Sequence, residues 1–232
     1  MRYPADQKAK TRRTILEAAA RVFKRRGYQG GGVDAVMKEA GLTHGGFYAH
    51  FKNKEALLAE TLKEAMLEAR GRHLEWTEGV HGDDWLGAYL DGYLSPQHFG
   101  HMEQGCPVPP LVSEVDRAGD PVKASFEDGL RVWANDIAQQ LHDVPEAERE
   151  SAALGVIAAS VGAIALSRAV ADADYAGQVL DGARDLVLSA FAANAKHSRD
   201  SDRLDSNPIR ENGPAKENGP LQENGPAKEN QA

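Results

Sequence analysis

Apolar residues recur at helical spacing through most of the chain. Ile15, Ala18, Ala19, Val22 and Phe23 form one stripe, which predicts a helix capped by Thr11 and running to about Arg26. Its end, Lys24-Arg25-Arg26, puts cations in the last turn, and Gly27 follows as a stop. Residues 1–10 show no apolar pattern and read as a mobile arm, while Gly30-Gly31-Gly32 reads as a loop. The stretch Val33–Phe51, VDAVMKEAGLTHGGFYAHF, then predicts a short helix, a tight turn and a second short helix. Val36 and Ala40 share one face of the first helix. Gly41 can supply the positive φ that ends it. Leu42 would tuck into the angle, and Thr43 would cap the next segment. There Phe47 and Phe51 stand at i and i+4 and anchor one side. Thr43, His44, Gly45, Tyr48, Ala49 and Lys52 are left outward. Asn53 then caps a helix in which Leu57, Leu58, Leu62, Met66 and Leu67 keep the period to about Trp76.

Further along, Asp83 or Asp84 opens a helix through about Leu94, with Trp85, Ala88, Tyr89 and Gly92 on one face, and Ser95-Pro96 ends it. Residues 97–105 read as a loop, followed by a short segment over Leu111–Val115. Asp120 as cap with Pro121 at the first helical position opens a helix to about His142, with Phe126, Leu130, Trp133, Ile137 and Leu141 inward. Pro145 opens another, whose part from Ala152 to Val170 is apolar nearly all round, and a last helix runs from about Tyr175 to Ala195. Gly155, Ala159, Gly162 and Ala163 allow close helix approach. These two helices, about 146–195, suit either an intrachain core or a subunit interface in which two chains build a four-helix bundle. From His197 the pattern stops, and Glu-Asn-Gly-Pro recurs at 211, 217 and 223, so 197–232 is expected to be a disordered low-complexity tail. The expected architecture is all-α, with a small three-helix head, a larger helical body and that tail.

Charge sharpens this division. Residues 1–54 hold 12 Lys and Arg against 4 Asp and Glu, a net of +8, while the rest carries −16 of the total −8. A basic head on an acidic body suits a chain whose N-terminal part alone meets phosphate. No run of about 18 apolar residues lacks polar interruption, and Met1–Tyr3 leads into charges, so neither a membrane span nor a signal peptide is expected. A single cysteine excludes an internal disulfide framework and suits a reducing cytoplasm.

Candidate chemistry is sparse. A segment held by aromatics behind, with small and hydrogen-bonding residues in front, suits a DNA major groove, although the same pattern also suits an ordinary helical hairpin in a core. Cys106 is either a small buried hydrophobe or a thiol that senses electrophiles or oxidants, its pKa lowered by the helix start after it. His98, His101 and Cys106 fall short of a metal site, since no fourth ligand is evident, so no metal or other cofactor is expected. Trp85, Tyr89, Tyr93, Cys106 and Trp133 are candidates for a ligand pocket, or for plain core. No phosphate loop, His-x-x-x-His pair or nucleophile elbow occurs, so an enzyme is not expected. A helical scaffold binding only proteins remains the other class, and it predicts no salt-dependent affinity for duplex DNA.

Ile15–Phe23, Gly27-Tyr28, Val33–Leu42, Gly46-Phe47-Tyr48 and the run His50-Phe51-Lys52-Asn53-Lys54-Glu55-Ala56-Leu57-Leu58 together resemble the TetR family of bacterial transcriptional repressors, over about residues 8–68. Tyr93–Pro96, Gly105-Cys106-Pro107 and Ser113-Glu114-Val115 are similar to one branch of its ligand-binding domain. The resemblance implies a helix-turn-helix head over 8–68, a ligand-binding and dimerisation body over 69–196, and a cytoplasmic homodimer, nucleoid-associated when bound to a palindromic operator and released by a small-molecule effector. It implies DNA contacts by Thr43, His44, Gly45, Gly46, Tyr48, His50 and Lys54. Thr43 to Gly46 would lie nearest base edges, with Tyr48 and Lys54 on phosphate; Lys52 joins them from its outward position. One departure is His44, where the family often has a lysine. An electrophile-sensing regulator acting through Cys106 is the alternative.

Overall fold

The computed structural model describes residues 5–205, with side chains described from Asp6 to Ala193. Among the described residues all regular elements are helical: α1 (Ala5–Gly30), α2 (Val33–Glu39), a 3-10 segment (His44–Ala49), α3 (Lys54–Trp76), α4 (Asp84–Tyr93), α5 (Pro96–Gly100), α6 (Val108–Asp116), α7 (Asp120–Ala138), α8 (Glu146–Ala169) and α9 (Ala173–Asp205).

The apolar stripes sort these helices into two cores. Ile15, Ala18, Ala19, Val22 and Phe23 of α1 meet Val36 and Met37 of α2, Phe47, Phe51, and Leu57, Leu58 and Leu62 of α3. Leu111, Val115 and Val122 from α6 and α7 complete this head core, so the body helps to build the head. The second core joins Met66 of α3 to Trp85, Tyr89, Leu90 and Tyr93 of α4, Trp133 and Ile137 of α7, and apolar residues of α8 and α9. α3 therefore spans both cores in one rigid rod. Its start is held by Asn53, whose side-chain oxygen accepts from the Ala56 amide at 2.7 Å.

Several boundaries differ from the sequence pattern. α1 starts at Ala5 rather than at Thr11, so 5–10 are helical; residues 1–4 of the expected arm lie outside the described residues. Thr11 instead donates its hydroxyl to the Gln7 carbonyl at 2.9 Å, an ordinary helix back-bond. Helical structure resumes after Gly27 and takes in Gly30. α5 falls inside the expected 97–105 loop, because the Ser95 hydroxyl accepts from the His98 amide at 3.1 Å and Pro96 opens the turn. α7 is capped by Gly119 rather than Asp120, which lies in the first turn, and it ends at Ala138. α9 continues to Asp205, so 197–205 are helical rather than part of the expected tail; 206–232 lie outside the described residues.

α8 is long and apolar enough to cross a membrane by length and composition alone. In this fold its buried face packs within the body core, and Ser167 donates to the Ala163 carbonyl at 2.8 Å. Its outer face stays apolar and open. Leu154 and Leu166 on α8, with Tyr175 and Leu186 on α9, are exposed, the last by 69%. A side chain at Gly155 or Gly162 would meet nothing within 4 Å, so these two glycines do not serve close packing inside the subunit, whereas Ala163 is buried in the body core and Ala159 packs against it.

Candidate nucleic-acid interface and body cavity

The turn of the motif forms as the residues dictate. Gly41 adopts φ 70°, and the Leu42 amide donates back to the Met37 carbonyl at 2.8 Å, closing α2. The second helix of the motif is a 3-10 segment of six residues rather than an α-helix. Gly45 and Gly46 account for this, since each costs about 1 kcal/mol of helix propensity relative to alanine. Thr43 precedes the segment in extended conformation, but its hydroxyl makes no cap bond; its carbonyl accepts from the Gly46 amide at 3.0 Å.

Behind the segment, Phe47 and Phe51 are buried and stack with ring centroids 5.7 Å apart. In front, Thr43, His44, Gly45, Tyr48 and Lys52 are exposed, and Tyr48 is 64% open. The Tyr48 ring is held edge-on against Phe47 at 5.1 Å, so the hydroxyl is offered on a fixed stem. His44 Nδ1 is hydrogen-bonded to the Asp34 carboxylate on α2. Gly46 is half-buried.

Two expected contacts are placed less openly. His50 is half-buried; its carbonyl accepts from Arg12, its Nδ1 is buried without a partner, and burial lowers its pKa. Lys54 sits with its ammonium 4.1 Å from the Tyr28 ring centroid, and burial lowers its pKa. Of the head's cations, Arg12, Arg13, Arg21 and Arg25 are drawn into ion pairs with Glu60, Glu17, Glu39 and Glu103. Among the described residues Lys8, Lys10, Arg26, Lys38 and Lys52 are exposed without an ion-pair partner.

Besides the shared apolar core and the Arg25–Glu103 ion pair, polar ties join head to body. Gly27 has φ 70°, and the Glu114 carboxylate of α6 fills the space a side chain there would need, accepting from the Tyr28 and Gln29 amides. The Glu55 carboxylate accepts from the Gly119 amide at 2.8 Å. Lys24 is buried and donates to the carbonyls of Glu103 and Gly105, each at 2.9 Å. Burial, aided by Arg72, lowers its pKa to about 8.

The residues expected to line a ligand pocket divide. Cys106 and Trp133 line a cavity of about 180 Å³ between α3 and α7, with Met66, Leu67, His73 and Gly129. Trp85, Tyr89 and Trp133 line a neighbouring one of about 150 Å³, again with His73. Tyr93 is sealed in the core and lines neither. His73, absent from the sequence reading, lines both, as do Arg70 and Trp133. Its signal was its place on the inward stripe Leu62, Met66, Ala69, His73, where an imidazole stands in an otherwise apolar series.

Cys106 is 2% exposed, and burial raises its pKa. The Tyr93 hydroxyl, the Val108 amide at the start of α6, and Lys24 and Arg72 all pull the other way and do not prevail. The lowering expected from the helix start is thus present and outweighed. His98 is fully committed: its Nδ1 donates to the Tyr93 carbonyl at 2.5 Å, and its Nε2 accepts from the Cys106 amide at 2.8 Å. It is a staple between α4 and the loop before α6. Among the described residues no group of three His, Cys, Asp or Glu is placed to hold a metal ion.

A helix-turn-helix with its outer face free, on a helical body, defines a DNA-binding transcriptional regulator. The profile of bacterial regulatory proteins of the tetR family matches residues 15–61. The HTH-type transcriptional regulator LmrA of Bacillus subtilis (strain 168) is 27% identical over 161 residues, 68% of this chain and 86% of that protein. UidR of Escherichia coli (strain K12), also an HTH-type transcriptional regulator, is 26% identical over 186 residues, 79% of this chain and 87% of its own length. The fold is shared with a TetR transcriptional regulator from Chloroflexus aurantiacus J-10-FL, with a TM-score of 0.68, 24% identity, and coverage of 81% of this chain and 96% of that one. Residues 15–61 thus match the DNA-binding domain of the tetR family, and over most of its length the chain is similar to transcriptional regulators.

Proposed function

We propose that this regulator is a repressor that binds a palindromic operator as a homodimer and leaves it when a small molecule occupies the body. The observation that carries this reading is the outer face of the 3-10 segment: Thr43, His44, Gly45, Tyr48 and Lys52 are open to a groove while Phe47 and Phe51 hold them from behind. In this reading Thr43, His44, Gly45 and Gly46 approach base edges, Tyr48, Lys52 and Lys54 take phosphates, and His50 supports the face from its half-buried place. Lys54 reaches a phosphate by leaving the Tyr28 ring. The head is the part over 8–68 and the body the part over 69–196, in a protein working in the cytoplasm and on the nucleoid when DNA-bound.

The open apolar face of α8 and α9 supports pairing of two copies through these helices, which would set the two heads about one helical turn apart, or a multiple of it. Three features support coupling. α3 runs from the head core to the cavity wall, Glu114 clasps the chain at Gly27, and Lys24 grips the loop that leads to Cys106. A ligand that displaces α3 or the 101–107 loop therefore moves the head. No catalytic role is proposed, and the relatives named above are transcriptional regulators.

Selection of bound duplexes from a randomised pool at low salt tests the reading. A two-fold symmetric site whose affinity falls steeply with salt is expected. Failure to retain any duplex would refute it. The thiol-sensor alternative has its own test: Cys106→Ser should leave release by an electrophile unchanged, as the buried, weakly acidic thiol suggests; loss of that response would restore the alternative.

A further inference from the structure

We propose that the cavity between α3 and α7 takes an uncharged aromatic molecule of one or two rings, whose single hydrogen-bonding group pairs with the His73 imidazole. The proposal rests on the effector reading above and names the chemical class of the ligand.

Size is the first argument. At about 180 Å³ the space modestly exceeds the roughly 150 Å³ at which an apolar protein cavity accepts benzene. The lining is the second. Met66, Ala69, Cys106 and Trp133 are buried apolar walls, and exposed Leu67 and Val132 form the lip. Trp133 stands 5.1 Å from the His73 ring, and Tyr89 and Tyr93 each 5.6 Å from it, so the imidazole is surrounded by ring faces and edges.

The third argument is an unanswered polar atom. His73 is 8% exposed, lines the cavity, and its Nδ1 has no hydrogen-bond partner. Leaving such a group unpaired in a core is unfavourable, and a ligand hydroxyl or carbonyl would answer it. Burial lowers the ring's pKa to about 3, so it meets the ligand neutral and can offer no charge to a carboxylate. Arg70 pairs with Asp136 at 2.5 Å, and the lining carries one further charge of each sign, Lys63 and Asp128.

The experiment uses the full-length protein without DNA and three small probes of one shape: p-cresol, p-xylene and p-toluate. Dissociation constants come from ligand-observed NMR. The neutral phenol should bind about tenfold more tightly than p-xylene, one net hydrogen bond's worth, and p-toluate should be weaker again. His73→Phe should erase the advantage of p-cresol while leaving p-xylene within about twofold. Gly129→Ala should weaken both neutral probes, because its new Cβ would lie 2.6 Å from the Met66 sulfur and drive that flexible side chain into the cavity. If His73→Phe fails to fold, the ¹⁵N shift of His73 Nδ1 in wild-type protein decides: it should move with p-cresol and stay with p-xylene. Three outcomes overturn the proposal: no saturable binding of either neutral probe, p-toluate binding as tightly as p-cresol, or a cresol preference that survives without His73. Because no duplex is present, failure of the repressor reading would leave these results unchanged, and a blank here would leave operator binding intact.

Discussion

The head and the body are both packed helices, yet their cores are made of different material. The head core is hydrocarbon: Ile15, Val22, Phe23, Val36, Met37, Phe47, Leu57 and Leu58 are almost completely buried and bring no hydroxyl or imidazole inside. The body core is built from rings with polar handles: Trp85, Tyr89, Tyr93, Trp133, His73 and His98. Trp133 donates to the Tyr89 hydroxyl at 3.2 Å, but the Tyr93 hydroxyl and His73 Nδ1 are left without a geometrically sound partner, and cavities open beside His73. A core of fitted hydrocarbon holds one shape, which is what presenting Thr43, His44, Gly45, Tyr48 and Lys52 to a groove requires. A core with spare polar atoms and space is stabilised further by a guest.

Acid should separate the two cores most strongly. His73 and His98 are held neutral, at about 3 and about 4, by burial. The groups near them, His98 and Arg72 for the first, Arg168, Arg72 and Lys24 for the second, are cations or bases that discourage a proton further. Both folded values lie below the unfolded value near 6.5. Their stabilising effect is therefore complete above that pH and is lost as pH falls towards the folded values. At pH 5 each costs about 2 kcal/mol, roughly 4 together, which urea unfolding at pH 7 and pH 5 would register. A pH-independent midpoint in that window would contradict the neutral, buried placement.

Next in size is Phe47→Ala, which should cost about 3–4 kcal/mol and abolish DNA binding, because Phe47 is fully buried and carries the 3-10 segment. Thermal unfolding and operator binding measured on one preparation check both effects. If stability fell with DNA binding intact, the segment would not be the presenting element.

Glu114→Ala should cost about 1–2 kcal/mol, by leaving the Tyr28 and Gln29 amides unanswered where α6 grips the end of α1. Glu114→Gln keeps an acceptor and should restore part of it. The informative readout is the ratio of operator affinities with and without effector, which should narrow in Glu114→Ala if this clasp transmits the signal. The smallest effect belongs to Lys52→Ala. Stability should not change, while the slope of log affinity against log salt should shrink by about two for the homodimer, one contact per protomer, uniformly across operator variants.

The head was far more legible than the body, and for a physical reason. Its elements are short, adjacent in sequence and closed by local rules. Gly41 takes the positive φ its place after α2 demands, Asn53 caps α3, and Phe47 and Phe51 face inward as their spacing requires. The exceptions come from competition between local rules: Gly45 and Gly46 tighten the second helix into a 3-10 segment and leave the Thr43 hydroxyl without a cap bond. In the body, Trp85, Tyr89, Cys106 and Trp133 line cavities while Tyr93 does not, because facing a core and facing a hole in that core have the same helical period. His73 escaped notice for the same reason.

The sequence by itself determined which faces of the helices are apolar, where the chain turns, and that positive charge gathers at one end, since these depend on neighbours a few residues apart. Only the tertiary structure decided which charges remain available. It spends Arg12, Arg21 and Arg25 on internal ion pairs, buries Lys24 against two carbonyls, and leaves Lys8, Lys10, Arg26, Lys38 and Lys52 to the solvent. It also decided that the Cys106 thiol is a weak acid and that His73 lacks a partner, because desolvation and unmet hydrogen bonds are set by groups distant in sequence that only folding brings together.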